Sequence, residues 1–393
     1  MPEIFDEIIC RSGTGSLKYD MESRGRSADV LPLWVGDMDF RAPQCILDAL
    51  SERNAHGIYG YTEPYGDYYD ALLGWFSRRF GWSPQRDWRV LSHGLMNAIH
   101  IAVRALTQPG DAVMITQPVY QHFTEAPLFN NRRLVCGTLI ENNLRYTIDF
   151  DEFERLITEN SVKLYLLCSP HNPAGRVWTR DELEKIAEIC LRHGTVVVCD
   201  EIHHDFIHGD NRHTIFSSLS PEAADITVLC TSPSKTFNVA GIQLANVFIK
   251  NPTLRERFLA EKAAMGLSQA PVSAILACRA GYSGGEPWLC GLLRYLDGNF
   301  NLISDYISSG KLPGIKFTKP EATYFAWLDC RALNMEDRAL RRFFEEGARV
   351  LLSDGAGFGN GGSGFMRLNA ACPRTVLKDG LDRIAGALCL SSR

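Results

Sequence analysis

No apolar run in this chain approaches the roughly 18 residues that a membrane-spanning helix requires. The opening MPEIFDEIICRSGTG sets acids among its apolar residues and has no continuous apolar stretch, which predicts no secretory leader. Positive charge is not in excess: 41 Lys and Arg stand against 46 Asp and Glu, a net −5, which argues against nucleic acid as the partner. Twelve cysteines are present but no C-x-x-C, so zinc knuckles and thioredoxin-like motifs lack support. Cys168, Cys199 and Cys230 fall inside apolar runs, where a free thiol acts as a small buried hydrophobe. A reducing cytoplasm is the expected location. His203, His204 and His208 invite a metal reading, yet no H-E-x-x-H accompanies them and no metal site is assigned. Repeats, heptads and low-complexity tracts are also missing.

What is present is an alternation of short apolar runs with amphipathic segments. At 393 residues the chain exceeds one ordinary hydrophobic core, so two domains are expected. DAVMITQP (111–118), VKLYLLCSP (162–170), TVVVCDE (195–201), ITVLCTSPS (226–234) and LANVFIK (244–250) predict buried strands. NAIHIAVRAL (97–106) and TRDELEKIAEICLRHG (179–194) predict helices. The second opens with Thr179 and Glu182 at capping-box spacing and closes on Gly194. Alternating strands and helices imply an α/β fold with a mostly parallel sheet covered on both faces. From about residue 286 the pattern changes to a long helix (287–307), shorter strands such as YFAWLD (324–329) and the Gly-rich DGAGFGNGGSGF. The expected division is a large domain at 46–285 and a smaller α/β domain built from 1–45 with 286–393.

Ligands of open parallel sheets sit beyond the carboxyl ends of the strands. TVVVCDE delivers Asp200 at such an end, ITVLCTSPSK delivers Ser232, Ser234 and Lys235, and VKLYLLCSPH is followed by NPAG (172–175). Each alone is equally a cap, a polar turn or a β-turn. Their joint occurrence at the ends of successive strands is what points to a site.

That order resembles fold type I pyridoxal 5′-phosphate (PLP) enzymes, the aspartate aminotransferase superfamily, over nearly the whole chain. The resemblance implies a large domain with a mostly parallel seven-stranded sheet between helices, binding PLP, and a smaller C-terminal α/β domain. It assigns Lys235 as the covalent anchor of PLP and, once freed by substrate, the base that removes the Cα proton. Asp200 would keep the pyridine nitrogen protonated, and Asn172 and His203 would meet the phenolate oxygen. Tyr120 would stack on the ring and share in catalysis. Gly94, Leu95 and Met96 at a helix start, with Ser232 and Ser234, would hold the phosphate. Tyr61 matches a residue that reaches the phosphate from a second subunit, implying a homodimer with shared active sites. Arg367, helped by Asn172 and the Gly36 backbone, would hold the substrate carboxylate.

Within that superfamily LPLWVGDMDF (31–40), IYGYT (58–62), SPHNPAGRVW (169–178), CDEIHHD (199–205), SPSKTFNVAGIQ (232–243) and PEATYFAWLD (320–329) resemble the MalY/PatB group of cystathionine β-lyases and related carbon–sulfur lyases. Gln243 stands where many aminotransferases place an Arg on the phosphate. Gly36 replaces the more usual Ala, and SHGLMNAI replaces the more usual phosphate-loop string. The resemblance implies α,β-elimination from L-cystathionine or other S-substituted L-cysteines. Two alternatives stay open: class I/II transamination, which shares the early steps, and a non-catalytic or dual-role regulatory protein on the same fold.

Overall fold

The structure is a computed structural model that describes residues 2–20, Gly25, Ser27 and 29–391. Its centre is a seven-stranded sheet: β1 (Arg89–Ser92), β2 (Ala112–Gln117), β3 (Arg133–Thr138), β4 (Leu164–Cys168), β5 (Val196–Asp200), β6 (Thr227–Thr231) and β7 (Ala245–Phe248). Their spatial order is β1-β7-β6-β5-β4-β2-β3, and only β7 runs antiparallel to its neighbours. The five apolar runs picked out in the sequence are β2, β4, β5, β6 and β7. The two unannounced strands, β1 and β3, are the two edges of the sheet.

The central strands read as continuous apolar runs because both faces of the sheet are covered. Val113, Ile115, Leu166, Val198 and Val228 pack on one side with Ile99 and Val103 of the Leu95–Leu106 helix. Met114, Tyr165, Leu167, Val197, Cys199 and Leu229 face the other side. Fully burying each such side chain contributes about 1.5–3 kcal/mol. The Arg180–His193 helix forms as its caps predict, with Thr179 and Glu182 completing a reciprocal capping box and Gly194 closing the end in a left-handed conformation.

A second, three-stranded antiparallel sheet is built from β8 (Phe325–Asp329), β9 (Ser353–Asp354) and β10 (Phe365–Asn369), in the order β8-β10-β9. The long helix Glu286–Ser308 leads into it. Leu31–Pro32 pairs in parallel with Val350–Leu351, tying the N-terminal segment to the C-terminal region. This places residues 34–37 over the carboxyl ends of β5 and β6. No described helix is long and apolar enough to cross a membrane.

Candidate active site

The carboxyl ends of β4, β5 and β6 open on a cavity of about 360 Å³. Its walls contain Lys235, Asp200, Asn172, His203, Tyr120, Gly94, Leu95, Met96, Ser232, Ser234, Arg367 and Gly36. The fold brings these twelve residues, from seven stretches of the sequence, into a single chamber. Tyr61 is the exception. It is 97% exposed, in a stretch without regular secondary structure, and does not line the cavity of its own chain.

Lys235 rides on the one-turn helix Pro233–Thr236, which starts at the N-cap Ser232 immediately after β6. Its ammonium donates to the Gly36 carbonyl at 2.7 Å, and the Tyr324 hydroxyl donates to the same oxygen at 2.6 Å. Desolvation pulls the Lys235 pKa down to about 8, opposed by Asp37 and Asp200 and assisted by Arg367. Asp200, at the last position of β5, accepts from the Ile202 amide at 2.9 Å. Burial pushes its carboxyl up to about 7, against the pull of that amide and of Lys235. A buried carboxylate in this state gains from any cation brought against it.

Arg367 lies on β10, where its guanidinium packs over the Phe325 ring at 4.0 Å. One arm donates to Asn172 Oδ1 at 2.9 Å, the other to the Trp34 carbonyl at 3.1 Å and to Ser353 Oγ at 3.2 Å. Nε is buried with no partner among the described residues. Because the Asn172 oxygen is occupied by Arg367, its amide nitrogen is the end left to donate to a ligand. His203 Nδ1 is likewise buried without a partner, and burial drives its pKa well below the usual imidazole range, so the ring is neutral. Burial raises the Tyr120 hydroxyl to about 12, which keeps it a donor.

The Leu95–Leu106 helix points its N-terminal amides into the cavity behind Gly94. Gly94 has φ 87° and ψ 159°, a region that essentially only glycine occupies. A Cβ there would stand 2.4 Å from Gln243 Oε1, so the carboxamide leans directly over the loop. Ser232 accepts from the Ser234 amide and shares its hydroxyl between the Leu244 carbonyl and Ser234 Oγ, 2.8 Å away, so the Ser234 oxygen accepts within the protein and its own proton is what it has to offer a ligand.

These groups fit PLP by their chemistry. Unspent helix-start amides and a hydroxyl suit a phosphate, a carboxylate with raised pKa suits a pyridinium, and unpartnered Asn172 and His203 nitrogens suit a phenolate oxygen. Sequence reasoning missed Tyr324, Asp37, Phe325 and Val35, whose neighbourhood becomes visible only when residues 34–37 fold across the site. It also missed the role of the Gly-rich loop, in which the Phe358 carbonyl accepts from the Val119 amide at 2.9 Å beside Tyr120. The adjacent His204 and His208 bond separately to the Glu201 and Thr323 carbonyls, and no metal-binding cluster occurs among the described residues.

Residues 28–384 match the family described as aminotransferase class I and II. The chain belongs to this family. It is 43% identical to the cystathionine beta-lyase PatB of Bacillus subtilis, with 98% of this chain and 99% of that protein covered. Protein MalY of Escherichia coli is 35% identical, with 98% of each covered. Among solved structures, cystalysin from Treponema denticola, which contains a pyridoxal 5′-phosphate cofactor, superimposes with a TM-score of 0.95 at 37% identity, covering 98% of this chain and 99% of that one. As the sequence predicts, the fold is the fold type I arrangement of this family, with a mixed but mostly parallel seven-stranded sheet.

Proposed function

We propose that this chain is a PLP-dependent carbon–sulfur β-lyase that cleaves L-cystathionine or other S-substituted L-cysteines, with water, to thiol, pyruvate and ammonia. The observation that carries the reading is Lys235. Its desolvated amine lies in one chamber with the raised carboxyl of Asp200 and the unspent Nε of Arg367. The relatives named cystathionine beta-lyase support the reaction class.

PLP, when bound, supplies an electron-accepting ring that makes a substrate Cα–H acidic. Lys235 would hold it covalently, Asp200 would face the ring nitrogen, Asn172 and His203 the phenolate oxygen, Tyr120 the ring face. The helix start at Gly94, Leu95 and Met96 with Ser234 would take the phosphate, and Ser232 would shape that turn. Arg367 and the amide of Asn172 orient the substrate carboxylate beside the Gly36 backbone. Lys235 Nζ, depressed to about 8, is a competent base for the Cα proton near neutrality. The proton it gains is then available to the departing sulfur.

We further propose a cytoplasmic homodimer. Ile58, Tyr59, Tyr61 and Tyr65 are all more than half exposed, an apolar run that a second copy would cover. Tyr61 of the partner subunit would then complete the phosphate site. Sedimentation of the pure protein tests the assembly, and Tyr61→Phe tests its share, with weaker PLP retention expected. The reaction itself is tested by pyruvate and thiol release from L-cystathionine. A cofactor that ends in its amine form with no pyruvate would point to transamination instead.

A further inference from the structure

Among the described residues the Lys235 ammonium has a single hydrogen-bond acceptor, the Gly36 carbonyl at 2.7 Å. That oxygen also accepts from the buried Tyr324 hydroxyl at 2.6 Å. A carbonyl oxygen has two lone pairs, so these two donors fill it. The neighbouring carbonyls of the crossing segment are held as well. Asn369 Nδ2 reaches those of Val35 at 2.6 Å and Asp37 at 2.8 Å, and Arg367 and Ser353 share that of Trp34. The Gly36 oxygen is therefore a fixed dock for the amine. Gly36 itself leaves the approach open, since a Cβ there would stand 3.1 Å from Nζ.

Aiming Tyr324 at this oxygen takes a distortion of the chain. Thr323, directly before it, has φ 74°, a left-handed conformation that is an outlier for a β-branched residue. It is held there on three sides. Its amide donates to the Phe206 carbonyl at 2.9 Å, its carbonyl meets His208 Nε2 at 2.5 Å, and its hydroxyl accepts from the Phe325 amide at 3.2 Å. Successive residues of a strand point to opposite faces. Here the kink brings the ring centres of Tyr324 and Phe325 to 4.6 Å from each other, with both rings against His203. Backbone strain held this firmly clusters at functional sites.

We propose that Tyr324 is a positioning residue for Lys235: by taking one lone pair of the Gly36 oxygen it weakens that oxygen's hold on the ammonium and keeps the amine ready to act as a base. The inference rests on the reading of Lys235 as cofactor anchor and Cα base, and deepens it. Two donors on one acceptor compete, so each bond is weaker than it would be alone. The hydroxyl proton also brings a positive partial charge to the shared oxygen, beside the ammonium. Both effects disfavour the charged form of Lys235, and removing the hydroxyl reverses them. The neutral amine keeps one N–H on the carbonyl, which fixes the direction of its lone pair. The other groups around the amine are Asp37 on the crossing segment, Asp200 and His203 at and just after the end of β5, Cys168 on β4, Tyr120 after β2 and Arg367 on β10. Tyr324→Phe leaves all of them in place.

The first test needs no turnover. Cofactor-free enzyme is mixed with PLP, and the rate at which the lysine-bound absorbance forms is followed against pH, since only the neutral amine attacks the aldehyde. Tyr324→Phe should move the midpoint of that profile up by about half a pH unit. Replacing Tyr324 by 3-fluorotyrosine, a stronger donor of nearly the same shape, should move it down, and this arm stands even where the first variant fails to fold. In the loaded enzyme with L-cystathionine, kcat of Tyr324→Phe should fall about threefold near neutral pH and converge on the wild-type value above about pH 9. KM should stay within about twofold of wild type. An unshifted midpoint in either variant, or a kcat loss that is equal at every pH, overturns the proposal and leaves the lyase reading intact. No pyruvate from the wild type overturns the lyase reading alone, because the recapture profile reports on Lys235 without it.

Discussion

Arg367 and Asn172, 195 residues apart in sequence, meet at 2.9 Å, with the guanidinium donating to the amide oxygen. This contact sets the orientation of both side chains. It points the Asn172 nitrogen at the cofactor position and helps hold the guanidinium of Arg367 over Phe325, 4.0 Å from the ring centre. Arg367→Lys keeps the charge but loses the fork. The expected result is a fall in kcat/KM of roughly 10–100-fold, carried chiefly by KM, in steady-state kinetics with L-cystathionine.

Asp200 makes stability depend on pH in an unusual direction. Its carboxyl sits at about 7 in the fold and at about 3.9 unfolded, so between those values the folded state binds more protons. Its contribution is fully present below about pH 4 and is lost as pH rises to about 7. In cofactor-free protein, Asp200→Asn removes that loss. Urea titrations should find the variant more stable than the parent by up to a few kcal/mol at about pH 8, with the gap closing toward about pH 4. With PLP bound the same change removes the partner of the ring nitrogen, and activity should collapse.

The backbone of Gly94 tests the phosphate cradle. Gln243 can swing aside from an added methyl, but φ 87° with ψ 159° cannot be relaxed without moving the helix start. Gly94→Ala should cost about 1–3 kcal/mol. Much of it should appear as weaker PLP retention in a dialysis assay.

Beneath the lysine, fully buried Asp205 accepts from Arg79 Nε at 2.8 Å, Trp75 Nε1 at 3.2 Å and Thr236 Oγ1 at 2.8 Å. Thr236 follows Lys235 directly, so one carboxylate fixes the turn that carries the amine. Asp205→Ala leaves Arg79 without its buried partner, and thermal or urea unfolding should register a loss of about 3–5 kcal/mol. Thr236→Val, which removes only one donor, should cost about 1–2 kcal/mol and lower kcat several-fold.

Much of this was legible in the sequence, for physical reasons. Strands buried on both faces must be apolar throughout, so β2, β4, β5, β6 and β7 announced themselves. The edge strands β1 and β3 have one paired neighbour and partly exposed faces, and RVLS and RLVCGT carry no continuous apolar signal. Thr179, Glu182 and Gly194 marked their helix because capping is local chemistry. Lys235, Asp200 and Asn172 could be found because each follows directly on a strand. Tyr324 and Asp37 could not, since what makes them matter is the crossing of residues 34–37 over Lys235, a long-range contact with no local signature. Tyr61 reads the same in sequence whether it serves a second subunit or faces water, and a single chain leaves it exposed.

The central claim is that Lys235 serves elimination. The most direct measurement is to incubate the PLP-loaded enzyme with L-cystathionine and follow pyruvate, free thiol and the cofactor's absorbance together. Pyruvate and thiol should appear in equal amounts over many turnovers, with the lysine-bound absorbance restored at the end, and Lys235→Ala should abolish both products. Conversion of the cofactor to its amine form without pyruvate or thiol would contradict the account.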